Sequence, residues 1–316
     1  MKKIIALLKL TRFKEFTFFV TVTTLLGIAS AHGEFGWQFV GVLVANWLAV
    51  MFAFMINDVE DADDDALNPK KINRNPVSAG DLNPRTATFA SFLVAGASAI
   101  IYSLLGFWPF VLGIISLILG WIYSWRVIRL KNMAFFDLVS HCMMLAGLQF
   151  LPGYLAFDNH PQTFIWLFPF TSVVAISLYG ELFNELRDLD GDLKAGLRHT
   201  GAKLGARPTY WLMMSVLAVG VACAFVTIFL LDIIPTWVVI LLFAVALALT
   251  IGPAILVRRN QDKIELHESF QKPIEIAAAF ALGFQFAFPW AWGMVGPAIS
   301  SLVGPYANML LSFKFF

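Results

Sequence analysis

Two stretches of this chain concentrate oxygen ligands in a pattern that suits metal-ion chemistry. INDVEDADDD, residues 56–65, places Asp58, Glu60, Asp61, Asp63, Asp64 and Asp65 within eight positions. A second cluster, in residues 181–192, holds Glu181, Glu185, Asp188, Asp190 and Asp192. Like charges this close repel one another, and an anionic membrane surface repels them too, so both clusters imply a cationic partner. If the chain continues helically past residue 56, Asn57, Asp58, Asp61 and Asp65 fall near one face at i, i+1, i+4 and i+8. Asn184, Asp188 and Asp192 repeat at i, i+4 and i+8. Rows of hard oxygen donors at one-turn spacing suit Mg²⁺, which takes a few carboxylates together with waters and substrate phosphates.

Bases follow each cluster. NPKKINRNPVSAG places Lys70, Lys71 and Arg74 beyond the first, and GDLKAGLRHT places Lys194 and Arg198 beyond the second. Carboxylates alone would fit a calcium site. Carboxylates with adjacent Lys and Arg fit a metal-bridged polyphosphate, because the bases neutralise the oxygens that the metal does not reach. A solvated charged loop would account for one such cluster, but it accounts poorly for two with the same spacing and the same trailing bases.

The elements that must position these rows are apolar. Of 316 residues, 59% are hydrophobic and 14% charged, against about a quarter charged in a soluble domain. Nine apolar stretches are long enough to cross roughly 30 Å of hydrocarbon: 16–31, 36–56, 86–106, 108–125, 133–157, 163–183, 208–231, 234–257 and 274–297. The predicted fold is all-α, a polytopic membrane protein of nine transmembrane helices in one bundle with polar cytoplasmic caps. A single domain spans 1–316, with an interfacial helix over 1–15, the bundle over 16–297 and a tail over 298–316. In the first part, MKKIIALLKLTRFKEF sets an apolar face against a basic one.

Basic residues cluster before the first span and in the second, fourth, sixth and eighth loops, while the odd-numbered loops carry none. The positive-inside rule then puts the N-terminus and the acidic caps in the cytoplasm and the C-terminus outside. The two acidic loops lie four spans apart, which suggests two related four-helix halves plus a ninth helix. Cys142 and Cys223 both fall in apolar stretches, so neither a disulfide framework nor a thiolate metal site is indicated. No cleavable signal peptide is evident. The bilayer is an expected partner and nucleic acid is not; the sequence leaves the oligomeric state open.

NDVEDADDD fits N-D-x-x-D-x-x-x-D and RDLDGDLKAG fits D-x-x-x-D. With nine spans, these motifs resemble those of the UbiA superfamily of intramembrane prenyltransferases, over residues 10–297. RNPVSAG is similar to the family's R-x-P-x-x-x-G stretch, and YSWRVIRLK, residues 123–131, resembles its Tyr-Ser…Leu-Lys stretch. The resemblance implies Mg²⁺-dependent transfer of a prenyl group from an isoprenyl diphosphate to a lipophilic acceptor: a quinone precursor, tetrapyrrole, glycerolipid precursor or carotenoid. It implies that Asp58, Asp61, Asp65, Asp188 and Asp192 hold the metal, with Asn57 completing the first motif. Lys71, Arg74, Lys131 and Lys194 are the implied diphosphate contacts, and Tyr123 and Asn184 join the substrate site. Asn184 stands where members acting on hydroxybenzoate carry a third Asp, which points this chain toward other acceptors.

Ionisable groups inside spans are expensive and usually face the bundle interior. Asp137 and His141 lie four apart in the fifth span, and Gln149, Glu275 and Gln285 are also intramembrane or near its edge. One reading makes Asp137 orient His141 as an acceptor-binding or deprotonating pair; the other is an interhelical hydrogen bond. His199 reads as a solvated loop residue. Two further functions remain open: a membrane terpene cyclase on the same fold, and a transporter of an anionic or divalent-cation substrate. A transporter should carry its charge near the midplane at broken helices, whereas these clusters cap the helix ends.

Overall fold

In a computed structural model, the described residues are 2–67, 71–157, 164–194 and 196–231, with separate positions between 275 and 287. Among them every regular element is helical. The order is α1 (Lys2–Leu10), α2 (Phe13–Ser30), α3 (Trp37–Glu60), α4 (Ala62–Ala66), α5 (Pro84–Leu105) and α6 (Phe107–Ser124). There follow α7 (Phe136–Cys142), a π-helical segment (Met143–Gly147), α8 (Leu148–Leu155), α9 (Leu167–Lys194), α10 (Thr200–Leu204) and α11 (Ala206–Leu231). Seven helical stretches are long and apolar enough to cross a membrane, and they coincide with the first seven expected spans. The eighth span, most of the ninth, the tail, Lys70 and Gln285 lie outside the described residues.

Local chemistry explains the boundaries. Asn83 caps α5, its side chain accepting from the Arg85 amide at 2.9 Å, and Pro84 occupies the first turn, where a missing N–H is harmless. Gly106, at φ +124°, supplies the turn between α5 and α6 that a side chain would strain. The segment expected as an interfacial helix, 1–15, contains α1 and the start of α2. Ile4, Ile5 and Leu8 are exposed on α1, while Ala6 and Leu10 pack on Met55, Val77, Leu82 and Ala87.

Packing inside the bundle follows membrane rules. A Cβ on Gly27 would sit 2.3 Å from the Phe150 carbonyl oxygen, so α2 and α8 approach at backbone distance. Buried polar groups are paired across helices: Asn46 Nδ2 donates to Thr24 Oγ1 and to the Gln149 carbonyl, both at 2.7 Å, and Tyr102 donates to Asn46 Oδ1 at 2.5 Å. Gln149 Nε2 donates to Ser116 at 3.1 Å and to the Met144 carbonyl at 2.7 Å. That carbonyl lies within the π-helical segment, where the wider turn loosens the i→i−4 ladder. Gln149 is therefore a bundle strut. Large apolar side chains such as Phe89, Leu93, Ile100 and Leu104 on α5 are exposed, as lipid-facing residues must be.

Candidate functional site

A cavity of about 740 Å³ opens between α3, α4 and α9. Its mouth carries both acidic clusters. Asn57, Asp58, Asp61 and Asp65 line one side, and Asn184 and Asp188 line the other. Lys71, Arg74, Arg12 and Arg187 lie around the same opening, and Glu275 contributes from the last described segment. Deeper walls are apolar, with Phe16, Phe19, Phe54, Met144, Leu145 and Ile176.

The first cluster is held by cations. Helix α3 continues to Glu60, so Asn57 and Asp58 lie on its last turn. Arg12 NH1 donates to Asp58 Oδ1 at 3.2 Å, while Asp58 Oδ2 is buried with no partner among the described residues. Arg129 donates to Asp61 Oδ1 at 3.1 Å and Lys131 to Asp61 Oδ2 at 2.5 Å. Lys131 also donates to Asn57 Oδ1 at 2.9 Å, and Asn75 to Asp65 Oδ2 at 3.0 Å. Burial pulls the Lys131 ammonium below its ordinary value, against the opposing attraction of Asp61. Asp64, further out, is lowered by its hydrogen bond from Arg129.

The second cluster divides. The expected long loop after residue 183 is mostly helix, since α9 runs unbroken to Lys194. Asn184 and Asp188 face the cavity, and Arg187 Nε donates to Asp188 Oδ1 at 3.2 Å. Asp192 does not line it. At 3.6 residues per turn, each step of four rotates by about 40°, so the row has turned away by its third member. Asp192 Oδ2 instead lies 3.1 Å from His199 Nε2, and Glu185 Oε2 lies 3.5 Å from His199 Nδ1. His199 is thus buried, not solvated. Burial opposes its charged form, yet the hydrogen bonds to Asp192 and Glu185 prevail and push its pKa up to about 10.

Asp137 and His141 also part company. Asp137 accepts from the Thr200 hydroxyl at 2.6 Å and from the Thr200 amide, tying α7 to the start of α10. It does not orient His141. His141 Nε2 lies 3.3 Å from Glu181 Oε2, and the Tyr123 hydroxyl donates to Glu181 Oε1 at 3.1 Å. Tyr123, His141 and Glu181 all line the cavity. Spacing gave Asp137 and His141 a shared face, but Thr200 and Glu181 arrive from distant parts of the chain. Arg12 and Glu181 are the principal residues that sequence reasoning left without a role. The signal for Arg12 was its place just before the first span, and for Glu181 its place seven residues before Asp188.

Two groupings could hold a metal. Asp137, Glu185 and His199 place ligand atoms within 4.8 Å of one another. Their oxygens already accept from Thr200 and from the Gly201 amide at 2.7 Å, which makes this a buried strut. Glu185 Oε1 in that group and Asp58 Oδ2 at the mouth are both buried without a partner among the described residues; what sets the mouth apart is that several hard carboxylate oxygens line open space there. That donor set fits Mg²⁺.

The model of the UbiA prenyltransferase family matches residues 19–272. The chain belongs to that family. Its enzymes transfer prenyl groups, so this protein is a prenyltransferase. Among curated UbiA relatives, a lycopene elongase/hydratase of Haloarcula japonica is 31% identical over 230 residues, 66% of this chain and 71% of that protein. A lycopene elongase/hydratase of Haloferax volcanii is 31% identical over 172 residues, 52% of each chain. Solved structures share the fold. A UbiA homolog from Archaeoglobus fulgidus bound to DMAPP and Mg²⁺ superposes with a TM-score of 0.67 at 20% identity, covering 89% of this chain and 98% of that one. The apo UbiA homolog from Aeropyrum pernix gives 0.67 at 18% identity, covering 87% and 98%.

Proposed function

We propose that this protein transfers a prenyl group from an isoprenyl diphosphate to a carotenoid-type polyene within the bilayer, with Mg²⁺ as cofactor. The carrying observation is a cavity lined by Asn57, Asp58, Asp61 and Asp65 of the first acidic row and by Asn184 and Asp188 of the second, together with apolar side chains. The A. fulgidus homolog binds DMAPP and Mg²⁺, which supports the donor and the metal. Two relatives named lycopene elongase/hydratase support a polyene acceptor.

Asp58, Asp61, Asp65 and Asp188 would hold the metal, with Asn57 and Asn184 beside them and Asp192 supporting from the next turn. Mg²⁺ bound there supplies the positive charge that stabilises the departing diphosphate. Lys71, Arg74 and Arg12 line the same opening and would neutralise the remaining phosphate oxygens; Lys131, bonded to Asn57 and Asp61, and Lys194 are further candidates. The apolar walls keep water from the allylic cation, which would otherwise be captured as an alcohol. Phe16, Phe19 and Phe54 are among the aromatic residues of this lining, and Arg12 lies over the Phe54 ring at 4.6 Å. In this reading residues 1–316 act as one membrane domain with the mouth and N-terminus cytoplasmic.

The test is incubation of the purified protein with Mg²⁺, dimethylallyl diphosphate and lycopene, with product masses read against lycopene. An adduct one prenyl unit heavier is expected. With a longer isoprenyl diphosphate as donor, diphosphate release with a cyclic product and no adduct would instead favour the cyclase reading.

A further inference from the structure

Below the acidic mouth the cavity walls become apolar, yet one polar assembly persists there. Glu181 lies seven residues before Asp188 on α9, about 10 Å along the axis at 1.5 Å per residue. Tyr123 donates to its Oε1 at 3.1 Å and His141 Nε2 meets its Oε2 at 3.3 Å. All three side chains line the cavity, and the diphosphate site at the mouth makes no use of them. The carboxylate is 14% exposed at its side chain, so it is sheltered but reachable. His141 Nδ1 is buried with no partner among the described residues.

Resting on the polyene reading, transfer must end with a base. Ionisation breaks the C1–O bond and leaves its electron pair on the diphosphate. The π electrons of a terminal trisubstituted alkene then form a bond to C1, leaving a tertiary carbocation on the acceptor. That cation ends in one of two ways. Loss of an adjacent proton turns the C–H electrons into a new double bond. Capture of water forms a C–O bond, and the proton leaves the oxygen to give a tertiary alcohol. Each route releases one proton to a nearby group.

We propose that Glu181 is that group, with His141 and Tyr123 as positioning residues. A tertiary carbocation is so strong an acid that a hydrogen-bonded carboxylate suffices as base, and its placement decides the outcome. The Tyr123 hydroxyl on one oxygen and the His141 ring nitrogen 3.3 Å from the other hold the carboxylate in place and leave lone pairs for the incoming proton. Without the base, the acceptor cation reverts by breaking the new C–C bond, and the freed allylic cation ends as prenyl alcohol.

The experiment compares wild-type enzyme, Glu181→Gln, Glu181→Asp and Tyr123→Phe with Mg²⁺, dimethylallyl diphosphate and lycopene in H₂¹⁸O. It reads adduct formed per diphosphate released, and the ¹⁸O-alcohol share of the adduct. Unfolded enzyme releases no diphosphate, so the ratio reports on folded protein. Glu181→Gln should lower the ratio at least tenfold, with prenyl alcohol making up the difference, and Glu181→Asp should recover part of it. If the Gln variant yields no folded protein, Tyr123→Phe still tests the assembly through an ¹⁸O share changed at least threefold. A ratio within twofold of wild type in Glu181→Gln, or an unchanged share in Tyr123→Phe, overturns the assignment alone. No adduct from wild-type enzyme overturns the polyene reading and the terminating base with it.

Discussion

The two acidic clusters start from similar sequence and end in different physical states. At the end of α3, the helix breaks at Asp61 and restarts as α4, which returns Asp65 to the cavity. At the end of α9 the helix runs on, and its continuous rotation turns Asp192 off the cavity face, where His199 meets it at 3.1 Å. The first cluster faces cations on long side chains: Arg12, Arg129 and Lys131. In the second, Glu185 and Asp192 meet the buried His199 ring, and Glu185 also accepts from the Gly201 amide. A carboxylate paired with Arg or Lys can exchange that partner for a metal and release the cation toward phosphate. One tied into a buried strut cannot do so cheaply. The first cluster is thus built for exchange and the second for support, with Asp188 as its contribution to the mouth.

The largest expected effect separates mouth from periphery. Asp58→Ala or Asp188→Ala should reduce diphosphate release by about 100-fold or more, the scale seen when one preorganised charge-stabilising group is removed. Rates near wild type in both would mean that the clusters are merely solvated. Stability should respond at the other cluster. His199→Asn removes the imidazole from buried Glu185 and part-exposed Asp192, a change that costs about 1–3 kcal/mol, and a thermal-shift comparison in detergent measures it. If His199→Asn melts with wild type while Asp58→Ala does not, the division between exchange and support is reversed.

A smaller effect concerns competition at Asp61. Lys131 occupies both Asp61 and Asn57 in the metal-free protein. Lys131→Met should therefore strengthen binding of Mn²⁺, used as a spectroscopic stand-in, by about tenfold without diphosphate, roughly 1.4 kcal/mol. With diphosphate present the gain should vanish, because the lost ammonium no longer contacts phosphate. Equal Mn²⁺ affinity in the two proteins would show that Lys131 does not guard the site. Least affected should be the rim. Asp63 is highly exposed and pairs with Arg126 at 3.2 Å, and such pairs contribute under about 1 kcal/mol. Asp63→Ala should hold activity within about twofold of wild type, an assay that also guards against a general charge effect.

Much of the bundle was legible because a membrane span is a long one-dimensional signal, and seven expected spans coincide with helices. Asn57, Asp58, Asp61, Asp65, Asn184 and Asp188 could be grouped for a similar reason: each row spans only a few residues of near-continuous helical chain, α3 into α4 and α9, where spacing sets the face. Asp192 was misplaced because small angular errors accumulate over turns. The partners of Asp137 and His141 were illegible, since Thr200 lies 63 residues from Asp137 and Tyr123 lies 58 from Glu181. No local pattern encodes such meetings. His199 looked solvated because nothing in LRHTG announces that the chain turns back under α9.

The central claim is that the two acidic rows act together on one metal-bound diphosphate. Diphosphate release from dimethylallyl diphosphate, measured in excess EDTA and after Mg²⁺ is restored, tests it most directly. The account predicts no release above background under chelation and full recovery on adding Mg²⁺. Undiminished release in EDTA would contradict it.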